Sequence, residues 1–552
     1  MSPSEAYRVG TQAFSAGQYE RALQHLRGLQ HPQALHLAAI SAQKLGQNPI
    51  AAELFSKASK LAPRDPNIAN NYGHFYLASQ DLAAAKSQFE SALRTAPNLP
   101  AALIGLAKID ASKKDWGAAH AAWSKVLAAS PGSAVGQYGL ATALLETGKA
   151  EEAAPLFKAM LEQRSAPEPM FMLGRALLEQ DRLTEAEACF KQSYEKAPTE
   201  HALRNLANVI WMRGEAEQFF ALIEDAPQSL RAIAIRLIME SGDVDRAEHA
   251  WQAAYGDTAA DKSAWLLKAA LAREMQNADA LAAASDKALE HAPNDLAALD
   301  LRIVADLMSG QPEAALKRIT PLRKAYPNAQ HWLAHEFIAH RLLGTNSPLL
   351  DIERFVRAYD LEAPEGFENM DHFNAELATT LKQLHGFQAR PLNQSLRGTG
   401  TQTTRSLTDH KHPVIEAYIR ALDAPIQQYL ADIGRDPSHP TAARNQGRYQ
   451  FAGMWSVHLR GQGFHEKHVH PEGWISSAYY ISVPPETETS PARAGWIGFG
   501  APSYTVSPDT PELKWIAPQP GRLVLFPSFM WHGTNPIHDQ AERLTAPFDL
   551  IP

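Results

Sequence analysis

"NNYGHFYLASQDLAAAKSQFESALRTAP", residues 70–97, sets small and aromatic side chains at fixed places: Gly73, Tyr76, Ala85, Phe89, Ala92 and Pro97. The beat continues outside it. Ala51, Ala85, Ala119, Ala153 and Ala186 recur about every 34 residues, and Phe55, Phe89, Trp123, Phe157 and Phe190 follow in step. Pro63, Pro97, Pro131 and Pro198 close four of the periods. Each period reads as a helical hairpin in which the small residue lets two helices approach, the aromatic fills the groove beside it, and proline ends the second helix. One hairpin cannot bury its own apolar face, so the units must stack.

The pattern weakens near 200–230 and returns with Ala247 and Trp251, Ala288 and Pro293, then Gly310, Ala315 and Pro327. About ten repeats are expected over residues 1–345. The phase of these positions resembles the tetratricopeptide family. The resemblance implies an all-α solenoid that binds a protein or peptide substrate along its concave face, although the repeat itself names no partner.

Composition narrows the rest. At 552 residues the chain exceeds what one core serves, and a formal charge of -8 gives no basic footprint for nucleic acid. Cys189 is the single cysteine, so any metal must be held by His, Asp or Glu. No apolar run reaches membrane-spanning length and the first residues lack a basic start followed by an apolar stretch. The expectation is a cytoplasmic protein with no membrane partner.

From 346 to 552 the text changes. Helical stretches, "FNAELATTLKQLHGFQARP" and "HPVIEAYIRALDAPIQQYLADIG", flank the polar segment "LNQSLRGTGTQTTRSLTDHK", which reads as a loop or irregular extended piece. Then come "RYQFAGMWSVHLR", "WISSAYYISVP", "AGWIGFG" and "GRLVLFPSFMWHG", short, aromatic or β-branched, bounded by Gly and Pro. They predict a compact antiparallel β core.

Into this core falls "GFHEKHVHPEGWISSAYYISVP", residues 463–484. If the strand runs through it, His468 and His470 share a face, and so do His470 and Glu472. His532, at the end of an apolar strand, supplies a third candidate ligand. Arg543 and Thr545 follow, again two apart, a guanidinium and a hydroxyl suited to gripping a carboxylate. His458 and His465 read as structural or surface residues, and the aromatic residues mostly as core.

The order "HVH" or "HPE", "FPSFMWHGTNP", "RLT" resembles the double-stranded β-helix (jelly-roll) oxygenases that use Fe(II) and 2-oxoglutarate, in the prolyl-hydroxylase-like branch. With "SLRGTGTQT" it resembles, more narrowly, tetratricopeptide proteins that end in such a domain. The resemblance implies a dioxygenase, with Fe(II) held by His468, His470 and His532, or by His470, Glu472 and His532; both ligand sets stand. It also implies 2-oxoglutarate on Arg543 and Thr545, with Tyr480 in reach. Ser395, Arg397 and Gln402 read either as a loop that satisfies its own backbone or as lining of the substrate entrance, with Trp474 as a further candidate substrate contact. Two other readings remain: a three-histidine cupin-like metalloprotein without 2-oxoglutarate, and an interaction scaffold with an inactive oxygenase domain.

Overall fold

The computed structural model describes residues 1–256, 261–487 and 489–552. Ten helical hairpins run from Pro3 to Ala325, and one more helix, Gln330–Leu343, follows them. The small-with-large device is visible in space. A Cβ at Gly73 would lie 2.7 Å from the Phe89 ring, and one at Gly139 would lie 2.2 Å from Trp123. Only glycine admits those contacts, so each aromatic ring seats directly on a neighbouring backbone. Ala85, Phe89 and Ala92 are fully buried.

The chain divides into two compact units, Met1–Gln180 and Asp181–Pro552. The first is wholly helical. In the second, helices up to Leu343 are followed by an antiparallel jelly-roll region. Its strands are β1 (Arg357–Asp360), β2 (Leu396–Gln402), β3 (Gln450–Met454), β4 (Val457–His465), β5 (Ile475–Ser482), β6 (Ile497–Phe499), β7 (Lys514–Ile516), β8 (Arg522–Pro527), β9 (His532–Thr534), β10 (Glu542–Thr545) and β11 (Phe548–Ile551). One sheet has the order β1-β8-β5-β10-β4-β2, with β11 pairing β3 and β5; the other is β7-β6-β9. The polar segment expected to be a loop or irregular extended piece contains β2, paired with β4 with a register shift between Arg397 and Thr399.

Alternation along the strands sorts the two faces of the larger sheet. Tyr479, Ile481, Leu523, Leu525 and Leu544 join a core with Phe373, Leu377, Tyr418, Ile426 and Tyr429, side chains of the helices Met370–Lys382, Pro413–Ala421 and Asp423–Ile433. Val524 and Phe526 turn the other way, into a core that also holds Phe499, Ile516 and Trp531. That second core has no border at the expected domain boundary. It runs on through Trp332, Phe337, Ile303 and Leu281 of the repeat helices. Trp531 Nε1 donates to Ala334 O at 3.3 Å, Arg341 Nη1 to Gly500 O at 2.7 Å, and His335 Nδ1 pairs with the Tyr504 hydroxyl at 2.9 Å. The repeat helices end with Gln330–Leu343 and further helices precede most of the strands, but the apolar interior does not divide at 345. Periodicity reports the type of an element, not the element against which it packs.

Candidate metal centre

The segment 466–474 is not a strand, contrary to the expectation; Pro471 and the turn after it interrupt one. It is nevertheless fixed. His468 N–H donates to His532 O at 2.9 Å, His532 N–H returns a bond to His468 O at 3.1 Å, and His470 N–H donates to Ser528 O at 2.9 Å. This isolated bridge lays His468 against the start of β9, while the bond to Ser528 holds His470 just past the end of β8.

One ligand nitrogen each from His468, His470 and His532 lies within 4.8 Å of the others. The Nε2 atoms of His468 and His470 are 3.2 Å apart. Every Nδ1 is occupied on the far side of its ring: His468 with Glu466 O at 2.7 Å, His470 with Asp549 Oδ2 at 2.8 Å, His532 with Met530 O at 2.9 Å. Acceptors at all three Nδ1 positions place a proton there and leave the Nε2 lone pairs facing one another, the arrangement by which outer groups fix ring orientation in metal sites. Burial, with His470 close by, holds His468 down at about 3. Burial acts on His470 too, but the Asp549 carboxylate outweighs it and raises that ring above its ordinary value. These donors fit a divalent transition metal, and Asp549 would contribute through His470 the negative charge that three neutral imidazoles lack. Glu472 is exposed and stands outside the cluster of donor atoms, although it borders the same cavity.

The cavity, of about 580 Å³, lies between the two sheets and takes walls from both. Arg543 is 2% exposed within it. Its Nη1 donates to Gly495 O at 2.7 Å, its Nε has no partner, and among the described residues no carboxylate pairs with it. Burial presses its pKa down, against the pull of Tyr480. The Tyr480 hydroxyl, likewise buried, also lacks a partner, and the guanidinium carbon is 5.9 Å from the Tyr480 ring centroid. Thr545 pairs in register with Tyr480 across β10 and β5, and so faces the same space as Arg543 two residues before it. A buried cation with an idle donor beside an idle hydroxyl is costly unless an anion completes it.

The other expected contacts separate. Ser395 and Gln402 line the cavity, and Ser395 Oγ lies 3.3 Å from His468 Nε2 and 3.1 Å from His465 Nδ1. Arg397 pairs with Glu466 at 2.5 Å and lines a neighbouring cavity instead. Trp474 does not meet the expectation of a substrate contact. It is 1% exposed in the helix-side core, donates from Nε1 to Thr441 O at 2.9 Å and lines neither the first cavity nor its neighbour. His458 pairs with Glu542 at 3.3 Å, a structural place, whereas His465 lines the cavity beside the cluster. Asp549 was not legible as a site residue: it is a lone acid in the short strand β11, and no spacing in the sequence ties it to His470.

Residues 453–549 match the family model described as "Putative 2OG-Fe(II) oxygenase". Tetratricopeptide models match residues 36–100, 104–169 and 144–210. Among solved structures, YrrB, titled "a TPR protein with an unusual peptide-binding site", is 22% identical, over 36% of this chain and 98% of that one, with a TM-score of 0.30. A tetratricopeptide repeat protein from Parabacteroides merdae is 18% identical, over 44% of this chain and 98% of that one, with a TM-score of 0.33. PilW, a type IV pilus biogenesis factor, is 18% identical, over 42% and 96%, with a TM-score of 0.30. No curated protein matches the chain.

Proposed function

Because the chain carries tetratricopeptide repeats and a C-terminal domain of the 2-oxoglutarate/Fe(II) oxygenase family, we propose that it is an Fe(II)- and 2-oxoglutarate-dependent dioxygenase acting on a protein or peptide. His468, His470 and His532 hold the iron. Arg543, Thr545 and Tyr480 hold the distal carboxylate of 2-oxoglutarate. When bound, the pair supplies oxidation of a substrate C–H bond by dioxygen, with 2-oxoglutarate converted to succinate and carbon dioxide.

The chain's own residues do the positioning. Glu466 O, Asp549 and Met530 O lock the three rings, so that the metal meets lone pairs already aimed at it. Asp549 also balances charge. Arg543 is desolvated in advance, and a carboxylate arriving there gains a charge-assisted bond without first displacing water from the guanidinium. Ser395 and His465 border the open side of the cluster. The repeats raise the local concentration of whatever polypeptide they engage. Among the described residues no helix is long and apolar enough to cross a membrane, which agrees with action in the cytoplasm.

The observation that carries this reading is the unpaired Arg543 beside the histidine cluster. A three-histidine metalloprotein without 2-oxoglutarate would leave that buried guanidinium unanswered, and an inactive scaffold has no use for either feature. Anaerobic titration with Fe(II) and then 2-oxoglutarate tests it: a visible charge-transfer band should grow to one equivalent of each. Intact protein that takes up iron but gives no band with 2-oxoglutarate would exclude the oxygenase.

A further inference from the structure

A second cavity, of about 570 Å³, adjoins the first. The two share Asn393, Gln394, Ser395, His468 and Val469 as lining, so His468 of the histidine cluster borders both. We propose that this second cavity seats an extended, uncharged stretch of substrate polypeptide, presented to the metal centre by the repeats themselves. The inference rests on the oxygenase reading above and specifies where its substrate lies.

Its wall comes from three helices, Arg231–Ser241, Lys262–Glu274 and Leu296–Met308, which are the first helices of three successive hairpins. Each contributes residues three or four apart: Arg236 and Glu240, Ala270 and Arg273, Ala297 and Leu301. That spacing is one face of a helix, so equivalent faces of consecutive repeats line a single space. The volume lies in the range, roughly 300–1,000 Å³, in which cavities enclose a ligand.

The opposite wall is tied to the repeats. Gln388 and Ala389 donate their N–H groups to Met212 O at 2.9 and 3.1 Å, and Leu392 N–H donates to Asn208 Oδ1 at 2.9 Å. Arg390, 5% exposed, donates from Nη2 to Glu240 O at 3.0 Å. These bonds anchor the segment that leads into Asn393, Gln394 and Ser395.

The charges decide the class of occupant. Arg273 pairs with Glu274 at 2.8 Å, Lys467 with Glu512 at 2.9 Å, Glu240 with Arg204 at 2.8 Å, and Asp300 with His335 at 3.0 Å. Arg397 has Glu466. Among the described residues Arg236 alone of the lining charges stands without a partner, and it is exposed to water. In contrast to the first cavity, nothing buried here demands a counter-ion. Exposed Asn393 and half-buried Gln394 border both cavities, and their side-chain amides make no hydrogen bond among the described residues. Amides match the donor and acceptor of a peptide main chain.

The test uses the full-length protein and a pool of N-acetylated, C-amidated decapeptides of uncharged residues, each carrying one benzophenone. Irradiation should label the segments 266–274 and 393–397, located by mass spectrometry. Ala270→Trp fills the wall and should cut that labelling about tenfold or more. Ala297→Trp, at an exposed helix start, repeats the block where folding is safest. Pools with Lys or Glu at alternate positions should label the same segments less. Labelling confined to other parts of the chain, or undiminished in both tryptophan variants, would overturn the proposal. The Fe(II) and 2-oxoglutarate band should be unchanged in both variants. Loss of peptide labelling with that band intact in the parent supports the cavity; an absent band with labelling intact refutes the oxygenase reading alone.

Discussion

Arg543→Met should make the ligand-free protein no less stable while destroying its response to 2-oxoglutarate. In the parent the guanidinium is buried, its Nε is unsatisfied, and a single bond to Gly495 O is its return. An unsatisfied buried polar group costs about 1–3 kcal/mol and the lost bond from the charged guanidinium to Gly495 is worth about 1.5–3 kcal/mol, so these two nearly cancel, and removal of the buried unpaired charge brings the exchange to neutral or slightly stabilising. Methionine also fills most of the space. The cosubstrate tells the opposite story. Removing one partner of a buried charge pair costs about 2–5 kcal/mol, or about thirtyfold to several-thousandfold in affinity. At a 2-oxoglutarate concentration about 100 times the parent's Kd, ligand binding stabilises the parent by about 2.7 kcal/mol; a thirtyfold weaker variant retains about 0.9 kcal/mol. Chemical denaturation of the Fe(II)-loaded protein, with and without 2-oxoglutarate under nitrogen, reads both numbers. Lysine at 543 should recover part of the loss, since it restores charge without the planar fork. A methionine variant that kept the parent's stabilisation by 2-oxoglutarate would refute the assignment of Arg543.

Among the metal candidates, His468→Ala and His532→Ala should lose iron, whereas Glu472→Ala should keep it, as measured by metal content after desalting; loss in the glutamate variant alone would favour the carboxylate ligand set. A chain starting at residue 346 should fail to fold, because it lacks Trp332, Phe337 and the rest of the repeat side of the shared core; one covering 181–552 should fold cooperatively by circular dichroism. Acid should destabilise the protein through His439, whose burial, ahead of the nearby Arg354, holds it down at about 3. The unfolded chain binds this proton below about pH 6.5 and the folded one does not, so stability falls with falling pH between 6.5 and 3, by about 1.4 kcal/mol per unit. His439→Asn, which preserves the cap on Thr441 N–H, should remove that share of the slope in urea titrations at pH 4 to 6.

The repeats were legible because their contacts are local: Gly73 and Phe89 are sixteen residues apart and touch, so sequence phase is also spatial phase. The order His468, His470, His532, Arg543 was legible as chemistry, since few other patterns put three imidazoles ahead of an inward guanidinium. What escaped depends on where strands meet. Asp549 reaches His470 only because β11 pairs beside β5, and no spacing reports that register. Trp474 stands one residue before β5, where alternation no longer decides which way a side chain turns. His465, at the last position of β4, has the same ambiguity.

The core shared by Trp332, Phe337, Phe526 and Trp531 bears on how such a protein can change over generations. A stack of hairpins normally tolerates gain or loss of a unit anywhere, given a polar cap at its end. Here the last hairpins have exchanged their cap for the β region, through this core and through the bonds of Asn208, Met212 and Glu240 to residues 388–392, so a duplication or deletion between residues 181 and 343 would disturb the support of the metal centre. Length can vary only upstream, where a unit's neighbours are other units. The reach of the array is therefore free to drift while the geometry next to the metal centre stays fixed.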